Sequence, residues 1–298
     1  MTYPAGPPDP PLDPAPDPAA ALPGCARHPD RPTGLRCTRC GRPACPECLR
    51  DAAVGQQCVD CVYQGSRGVR RGRTVAGAEP GGRPLVVPVL VALNVALFAL
   101  TAAQARSIGS NDAAPLFREW VLVPGLVATG DWWRPVTAGF LHYGPLHLVF
   151  NMMALWVIGR ELEPVLGRVR FLAVYLVALL GGSAAVMLFS SPGSLVAGAS
   201  GAVFGLMGAL FVVARRLRVP TGQVVGLVVV NLVLSVVVPG ISLVGHLGGL
   251  VLGAAATAAL VHVPPVRNRT VLQAGALVVL TVVVLTVIAG RAAAVAFV

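Results

Sequence analysis

Residues 198–217 read GASGAVFGLMGALFVVARRL, and residues 243–262 read LVGHLGGLVLGAAATAALVH. Each stretch is long and apolar enough to cross about 30 Å of hydrocarbon as one helix. Each also begins with one polar side chain among glycines, Ser200 in the first stretch and His246 in the second. Because a polar group inside a membrane is costly without a partner or a function, the two stretches predict a membrane-embedded helical bundle with a Ser–His pair.

The composition of the whole chain agrees with this interpretation. Hydrophobic residues make up 55% of the 298 positions and charged residues 12%, with a mean hydropathy of +0.73. A soluble globular protein carries about 25% charged residues, so an ordinary soluble domain is excluded. The net charge of +10 comes from arginine alone, since the chain has no lysine. This usage is typical of a GC-rich bacterial genome.

Apolar runs predict seven membrane spans, near residues 85–105, 145–160, 169–190, 200–217, 222–238, 243–262 and 271–290. Arginines concentrate in alternate connections, whereas segments 191–199 and 239–242 carry no charge. The positive-inside rule then places the N-terminus in the cytoplasm and the C-terminus outside. Arginines that follow membrane topology in this way do not form a nucleic-acid-binding face.

One connection, residues 106–144, is far longer than the others and is rich in aromatic residues such as Trp120, Trp132 and Trp133. Long connections without regular structure are uncommon. Aromatic side chains favour the membrane–water boundary, so we expect this segment to lie half-immersed in the outer interface.

The sequence before the first span divides into three parts. Residues 1–24 are rich in Pro and Asp, contain no apolar signal sequence, and are expected to be disordered and cytoplasmic. Residues 25–61 form a compact module that holds all seven cysteines. Residues 62–84 form an Arg/Gly linker, which we interpret as a solvated tether; docking of its arginines on anionic lipid headgroups is the alternative.

The cysteine module predicts two structural zinc sites. Its potential ligands fall into four pairs, each separated by two residues: Cys25 and His28, Cys37 and Cys40, Cys45 and Cys48, Cys58 and Cys61. Eight such ligands suit two tetrahedral Zn²⁺ ions, and a reducing cytoplasm disfavours disulfides. Closed four-ligand sites leave no position for substrate, so catalysis is expected to need no cofactor. The module is a candidate for binding a protein partner.

The arrangement resembles a B-box zinc finger. That resemblance implies cross-braced pairing, in which the first and third pairs share one ion and the second and fourth share the other. Sequential pairing of the first two and the last two pairs remains possible.

Three spans carry polar groups that suit acyl transfer. His147 and Asn151 are four residues apart on one helical face, and the predicted topology places them at the same outer depth as Ser200 and His246. Serine needs a base to take its proton, and the oxyanion needs hydrogen-bond donors. We therefore assign Ser200 as nucleophile, His246 as base, and His147 and Asn151 as oxyanion donors, in a dyad without an acid.

Other polar residues within the spans have simpler interpretations. We interpret Asn94, Asn231 and Ser235 as helix–helix hydrogen bonds. Glycines at 201, 205 and 208, and at 245, 249 and 253, should let the Ser200 and His246 helices approach closely. Replacing Gly249 with Leu should therefore abolish activity without preventing insertion.

The motifs together resemble the rhomboid family of intramembrane serine proteases. His147 to Asn151 is similar to the family's H-x-x-x-N motif, residues 198–201 to its G-x-S-G motif, and residues 245–249 to the signature of its sixth helix. The resemblance covers residues 85–262 and implies a six-helix bundle. The last helix, within residues 263–298, would be the seventh of a six-plus-one arrangement.

The resemblance also implies roles for supporting residues. Trp133-Arg134 is similar to the W-R pair of the family's long first loop, in which Arg134 would tie the loop together. His142 resembles a second histidine of many members and would support the site, as would Gly198 and Gly201. Phe204 stands where some members have a tyrosine, and its ring can still pack against His246.

The function implied is an endopeptidase that cleaves transmembrane protein substrates in or beside the lipid of a plasma membrane. Loss of the serine or the histidine would favour a non-cleaving scaffold that binds transmembrane helices, but both residues are present. A transporter has less support because no Asp or Glu lies within a predicted span.

Overall fold

The structure is a computed structural model, and it describes residues 22–67, 69 and 72–296. The disorder predicted for residues 1–24 falls almost wholly outside these residues. The chain divides after residue 71 into two compact units, which are described separately below.

The first unit has almost no apolar core apart from its cysteines. Strands β1 (Leu49–Asp51) and β2 (Gln56–Cys58) pair antiparallel, and α1 (Val59–Ser66) follows directly. Six cysteines are buried, accompanied by Ala44 and Leu49. The unit extends to the end of α1, so residues 62–66 belong to this module and the predicted start of the linker at residue 62 is wrong.

The second unit is helical. Its long helices are α2 (Val86–Ala105), α6 (Gly144–Leu166), α7 (Arg168–Phe189), α8 (Ser200–Leu217), α9 (Gly222–Val237), α10 (Leu243–Val261) and α11 (Arg269–Ala296). Three short helices lie between α2 and α6, namely α3 (Pro115–Trp120), α4 (Pro124–Ala128) and α5 (Arg134–Thr137). Each of the seven predicted spans coincides with one long helix.

Length and apolar composition select fewer spans than the seven predicted. Within the described residues, five helices are long and apolar enough to cross a membrane: α2, α7, α8, α10 and α11. A sixth is counted if α6 is joined to residues 134–140, from which it is bent by 92°. Helix α9 has only 16 residues, and α6 carries Arg160, Glu161 and Glu163 near its end. The protein is a multi-pass membrane protein.

Helices α7, α8 and α10 meet along a seam of glycines. A Cβ atom added to Gly249 would overlap the carbonyl oxygen of Gly201, and one added to Gly253 would overlap the backbone at Gly205. Helix α7 joins the seam through Gly182, where a Cβ would lie 2.9 Å from the carbonyl oxygen of Gly245. The close approach predicted for α8 and α10 is therefore present, and α7 takes part in it as well.

The long connection between α2 and α6 is a folded element. Arg134 is 5% exposed, and its guanidinium bonds to the Asp131 carboxylate at 2.7 Å and to the carbonyls of Arg118 and Val121 at 2.8 Å. Phe117, only 1% exposed, lies in a small core of this connection.

This connection also holds the segment that precedes α8. Leu122 and Val196 exchange two backbone hydrogen bonds of 3.0 Å, and the N–H of Gly198 donates to the carbonyl of Ala138 at 3.0 Å. Ser183 of α7 donates to the carbonyl of Pro135 at 2.6 Å. Three backbone hydrogen bonds, two with Leu122 and one with Ala138, therefore fix the segment through which the chain enters α8.

Part of the predicted linker is packed against the helices of its own unit. Thr74 donates to the carbonyl of Val165 at 2.6 Å, and Gln273 donates to the carbonyl of Ala76 at 3.0 Å. Ala76 and Ala78 are buried. Interpretation of residues 62–84 as a solvated tether is thus wrong for residues 74–78, because the Thr74 hydroxyl and the Ala76 carbonyl have partners in the helices.

Glu163 of α6 accepts hydrogen bonds from the free N–H groups at the N-terminus of α2. Its carboxylate accepts hydrogen bonds from the N–H groups of Leu85, Val86 and Val87 at 2.6, 2.9 and 2.9 Å. The first N–H groups of a helix have no intrahelical partner, and a negative charge there also stabilises the helix dipole. The buried carboxylate, 2% exposed, therefore joins α2 to α6.

We predict that Glu163→Gln lowers the free energy of unfolding by about 1–3 kcal/mol, the value of hydrogen bonds to a buried charged group. Unfolding of the purified protein in mixed micelles measures the change. Glu161→Gln is the matched control, since Glu161 is exposed on the same helix. Equal stability of the two variants would contradict a role of Glu163 in joining α2 to α6.

We also predict that Gly249→Ala destabilises the fold by about 3 kcal/mol, the upper end for overpacked sites, because the added methyl meets backbone that cannot rotate away. Gly275→Ala on α11 is the control, as its Cβ would meet nothing within 4 Å. Thermal unfolding midpoints of the two variants check this expectation. Identical midpoints would show that the seam tolerates a methyl group.

Candidate active site and metal centres

Ser200 and His246 lie in direct contact. Ser200 is the first residue of α8, and His246 lies in the first turn of α10, which Ser242 caps by accepting from the N–H of Gly245 at 3.2 Å. The Ser200 Oγ and His246 Nε2 atoms are 2.8 Å apart. This is hydrogen-bond distance, and it is the geometry required for transfer of the hydroxyl proton to imidazole.

The imidazole of His246 is held on its face and on its other edge. Phe204, one turn after Ser200, stacks on the ring with centroids 4.0 Å apart and planes 15° from parallel. On the other edge, the Ser235 Oγ atom lies 2.7 Å from His246 Nδ1. The ring of His246 is therefore in contact with α8, through Ser200 and Phe204, and with α9, through Ser235.

The interpretation of Ser235 as an ordinary helix–helix bond missed its partner. Ser235 does join two helices, but the residue it reaches is the candidate base. The amides of Asn94 and Asn231 each donate to the carbonyl four residues earlier in their own helix, that of Leu90 at 2.7 Å and that of Leu227 at 2.8 Å. The buried Asn94 side chain also interacts with Tyr175 of α7, as predicted, whereas the side-chain bond of Asn231 stays within α9.

His147 presents a donor to the site. The N–H of Tyr143 donates to His147 Nδ1 at 3.2 Å, so a neutral His147 carries its hydrogen on Nε2. The side-chain amide of Asn151, 7% exposed, donates one hydrogen to the carbonyl of His147 at 2.9 Å and keeps a second. No side chain of the described residues caps the start of α8, so the N–H of Ser200 adds a third donor.

Gly198 lies between these groups with φ of +136°, a conformation that favours glycine. A Cβ added there would lie 2.9 Å from His147 Nε2 and 3.5 Å from Ser200 Oγ. The absence of a side chain at this position leaves the space between His147 and Ser200 open.

His142 lies beside His147. It is fully buried, and its ring meets the edge of the His147 ring with centroids 5.1 Å apart. The backbone carbonyl of His142 accepts from the side-chain amide of Asn111 at 2.8 Å. The side-chain oxygen of Asn111 in turn accepts from the N–H of Gly144 at 2.9 Å. Asn111 is buried and fixes the start of α6, yet sequence reasoning did not identify it, because nothing near it in the chain marks it.

The site opens into a cavity of about 980 Å³. Ser200, His246, His147 and Asn151 line it, together with Ser235. The remaining walls are mostly apolar and come largely from α6 and α9, with side chains that include Phe150, Met153, Val157, Leu227 and Leu234. An apolar cavity with a few convergent polar groups is typical of a substrate-binding site.

The eight metal-ligand candidates of the first unit form two clusters. One contains Cys25, His28, Cys45 and Cys48, the other Cys37, Cys40, Cys58 and Cys61, and within each cluster the ligand atoms all lie within 4.8 Å of one another. The grouping is the cross-braced one, and sequential pairing would join residues of different clusters. A set of three cysteines with one histidine and a set of four cysteines are both compatible with zinc.

Distances within the clusters suit a tetrahedral ion. His28 Nδ1 lies 3.3 Å from the Sγ atom of Cys48, 3.5 Å from that of Cys45 and 4.0 Å from that of Cys25. Ligands at Zn–S of about 2.3 Å and Zn–N of about 2.0 Å around one centre are separated by edges of this size. His28 would therefore bind through Nδ1.

Backbone groups favour the thiolate form of one cysteine in each cluster, Cys25 and Cys37. A hydrogen bond from the backbone of Cys45 lowers the pKa of the Cys25 thiol to about 6, and one from Cys58 lowers the pKa of the Cys37 thiol to about 6. The thiolate is the form that binds metal. Since protons compete with the ion for these sulfurs, metal binding should weaken as the pH falls.

Comparison with known proteins identifies relatives for the helical unit. A family model described as the Rhomboid domain matches residues 129–263. The chain is 37% identical over 193 residues to rhomboid protease GluP of Bacillus subtilis, an alignment that covers 63% of this chain and 37% of that protein. It is 34% identical over 172 residues to putative rhomboid protease YdcA of the same organism, covering 55% of this chain and 83% of that protein.

A third relative, RHOMBOID-like protein 5 of Arabidopsis thaliana, is 36% identical over 151 residues, which cover 42% of this chain and 49% of that protein. The chain thus spans less than half the length of two of these relatives. The residues matched by the family model include Ser200, His246, His147 and Asn151, whereas the cysteine module lies outside them.

We predict two zinc ions per chain, with a cross-braced pairing that double variants can distinguish. Cys25→Ser with Cys45→Ser removes two ligands from one cluster, so one zinc should remain. Cys25→Ser with Cys37→Ser damages both clusters, so both should be lost. Elemental analysis of the purified full chain gives the stoichiometry. The reverse result, two ions lost in the first variant and one in the second, would establish sequential pairing.

Proposed function

This chain belongs to the rhomboid family, and we propose that it is an intramembrane serine endopeptidase that uses Ser200 and His246 to cleave transmembrane protein substrates. The observation that carries the proposal is the 2.8 Å contact of Ser200 Oγ with His246 Nε2 at the head of an apolar cavity. Protease names among its relatives support the same reaction class.

In the first step, Ser200 Oγ attacks the carbonyl carbon of a substrate peptide bond while His246 Nε2 takes the hydroxyl proton. Negative charge develops on the carbonyl oxygen. We assign its stabilisation to His147 Nε2–H, to the free amide hydrogen of Asn151 and to the N–H of Ser200. The N-terminus of α8 adds its positive dipole end to the same position.

The tetrahedral intermediate then collapses. The bond from carbon to nitrogen breaks, His246 gives its proton to the leaving amine, and the substrate's N-terminal part remains as an ester on Ser200. A water molecule, activated by His246 in the same way, hydrolyses this ester and restores the serine hydroxyl. No step requires a metal ion, and the two candidate metal clusters lie in the other unit of the chain.

The walls of the cavity favour a membrane-embedded substrate. Apolar side chains of α6 and α9 line it, and they match the side chains of a transmembrane helix. A peptide bond within an intact helix has its carbonyl oxygen engaged in a hydrogen bond. The segment to be cut must therefore unwind, which favours small or helix-breaking residues around the scissile bond.

With all seven long helices crossing the membrane, the arginine distribution supports a cell-membrane orientation with the N-terminus and the cysteine module in the cytoplasm and the C-terminus outside. Ser200 then opens toward the outer face. In this arrangement residues 85–262 form the protease core, and the helix within residues 263–298 is an addition to it. A non-cleaving scaffold has no observation in its favour, because the serine and the histidine are both present and in contact.

We predict that Ser200→Ala and His246→Ala each reduce cleavage of a reporter transmembrane substrate by at least about 10³-fold, the loss typical of a nucleophile or its base. Reconstituted proteoliposomes and gel analysis of the products measure the rate. Ser191→Ala is the control, since Ser191 is exposed and bonds to Ser194. A fluorophosphonate should label the wild-type chain but not Ser200→Ala. Undiminished cleavage by Ser200→Ala would exclude the proposed mechanism.

A further inference from the structure

Ser235 is the single buried residue of α9. Its exposed fraction is 5%, whereas the other side chains of this helix are half-buried or exposed. The hydroxyl oxygen lies 2.7 Å from His246 Nδ1 and 2.7 Å from the carbonyl oxygen of Asn231. A helix that otherwise packs loosely thus buries one polar side chain, directly against the candidate base.

Counting hydrogens fixes the direction of these bonds. To accept the proton of Ser200, His246 Nε2 must be free of hydrogen, so the neutral ring carries its hydrogen on Nδ1. His246 Nδ1–H then donates to Ser235 Oγ, and the Ser235 hydroxyl donates to the carbonyl of Asn231. In this series of two hydrogen bonds each hydrogen has one acceptor, and the last acceptor is a backbone carbonyl.

If the bond between Ser235 and His246 ran in the opposite direction, His246 could not act as the base. If Ser235 donated to His246 Nδ1, the neutral imidazole would carry its hydrogen on Nε2 and could not accept from Ser200. The carbonyl of Asn231 favours the productive direction, because a carbonyl only accepts. It takes the Ser235 hydrogen and leaves the Ser235 lone pairs for Nδ1–H.

We infer that Ser235 is a positioning residue that holds His246 as the Nδ1–H tautomer and turns Nε2 toward Ser200. The inference rests on the proposed protease function. Ser235 would do with a neutral hydroxyl and a carbonyl what a buried carboxylate does in a Ser–His–Asp triad. When His246 receives the proton of Ser200, its Nδ1–H keeps an acceptor, so the imidazolium forms with its second hydrogen already bonded.

If Ser235 had a purely structural role, a hydrogen bond within its own helix would be enough. A serine that only returns a hydrogen bond to its own helix needs no partner on a second helix. Thr281 of α11 shows that arrangement, since its hydroxyl donates to the carbonyl of Leu277 at 2.9 Å, four residues earlier. Ser235 makes the same internal bond and adds the contact with His246, so the two residues form a matched comparison.

The test compares Ser235→Ala, Ser235→Thr and Thr281→Ala with the wild-type full chain in proteoliposomes, using a reporter transmembrane substrate. We expect Ser235→Ala to lower kcat about 10- to 100-fold, as for loss of one hydrogen bond to a charged group, with a smaller change in KM because the lost bond is to His246. Ser235→Thr keeps the hydroxyl and should recover most of the rate. Thr281→Ala should match wild type.

A spectroscopic readout separates positioning from packing. With ¹⁵N-labelled histidine, the side-chain nitrogens of His246, assigned from their loss in His246→Ala, should report the Nδ1–H tautomer in wild type and a mixture in Ser235→Ala. An unchanged kcat in Ser235→Ala would overturn the inference, as would an unchanged His246 spectrum. Equal impairment of the Ala and Thr variants would also overturn it, since it would assign the effect to shape.

Failure of the proposed function looks different. In that case the wild-type chain neither cleaves the reporter nor reacts with a fluorophosphonate, and the Ser200→Ala variant behaves like wild type. The present inference fails while the wild type remains active, so the two results cannot be confused.

Discussion

The contact of α8 with α10 depends on the absence of side chains along it. Lipid offers no hydrophobic force to bring apolar helices together, so van der Waals contact between backbones has to supply the attraction. The glycine seam permits that contact, with Gly249 against the carbonyl of Gly201. The first turns of the two helices are thereby brought side by side, and Ser200 Oγ lies 2.8 Å from His246 Nε2.

The other side of the site depends on a different kind of constraint. The long connection before α6 is tied together by Arg134 and pairs through Leu122 with the segment that leads into α8. The same connection places Tyr143, whose N–H sets the hydrogen of His147 on the nitrogen that faces Ser200. Helix packing thus sets the distance between Ser200 and His246, whereas a folded surface segment orients His147.

The features predicted from the sequence were those with a local signal: the positions of the long helices, the polar residues that interrupt them, the glycine spacing and the paired metal ligands. What was missed depends on residues far apart in the chain. Glu163 accepts from an N–H 78 positions away, and Gln273 donates to a carbonyl 197 positions away; no periodicity or spacing marks such a pair. The pairing of the metal ligands could not be decided from the sequence for the same reason, since the spacing of the ligand pairs fits both cross-braced and sequential pairing.

Helix α9 buries one side chain, that of Ser235; most of its other side chains are apolar and exposed, and few of them line the cavity. Hydrocarbon scarcely distinguishes Val from Leu or Ile, so selection on those positions acts on polarity and hardly on identity. The sequence of α9 is therefore expected to drift among related proteins faster than that of α8 or α10, where one added carbon meets backbone. While the rest of α9 varies, position 235 should keep a side chain that accepts a hydrogen bond.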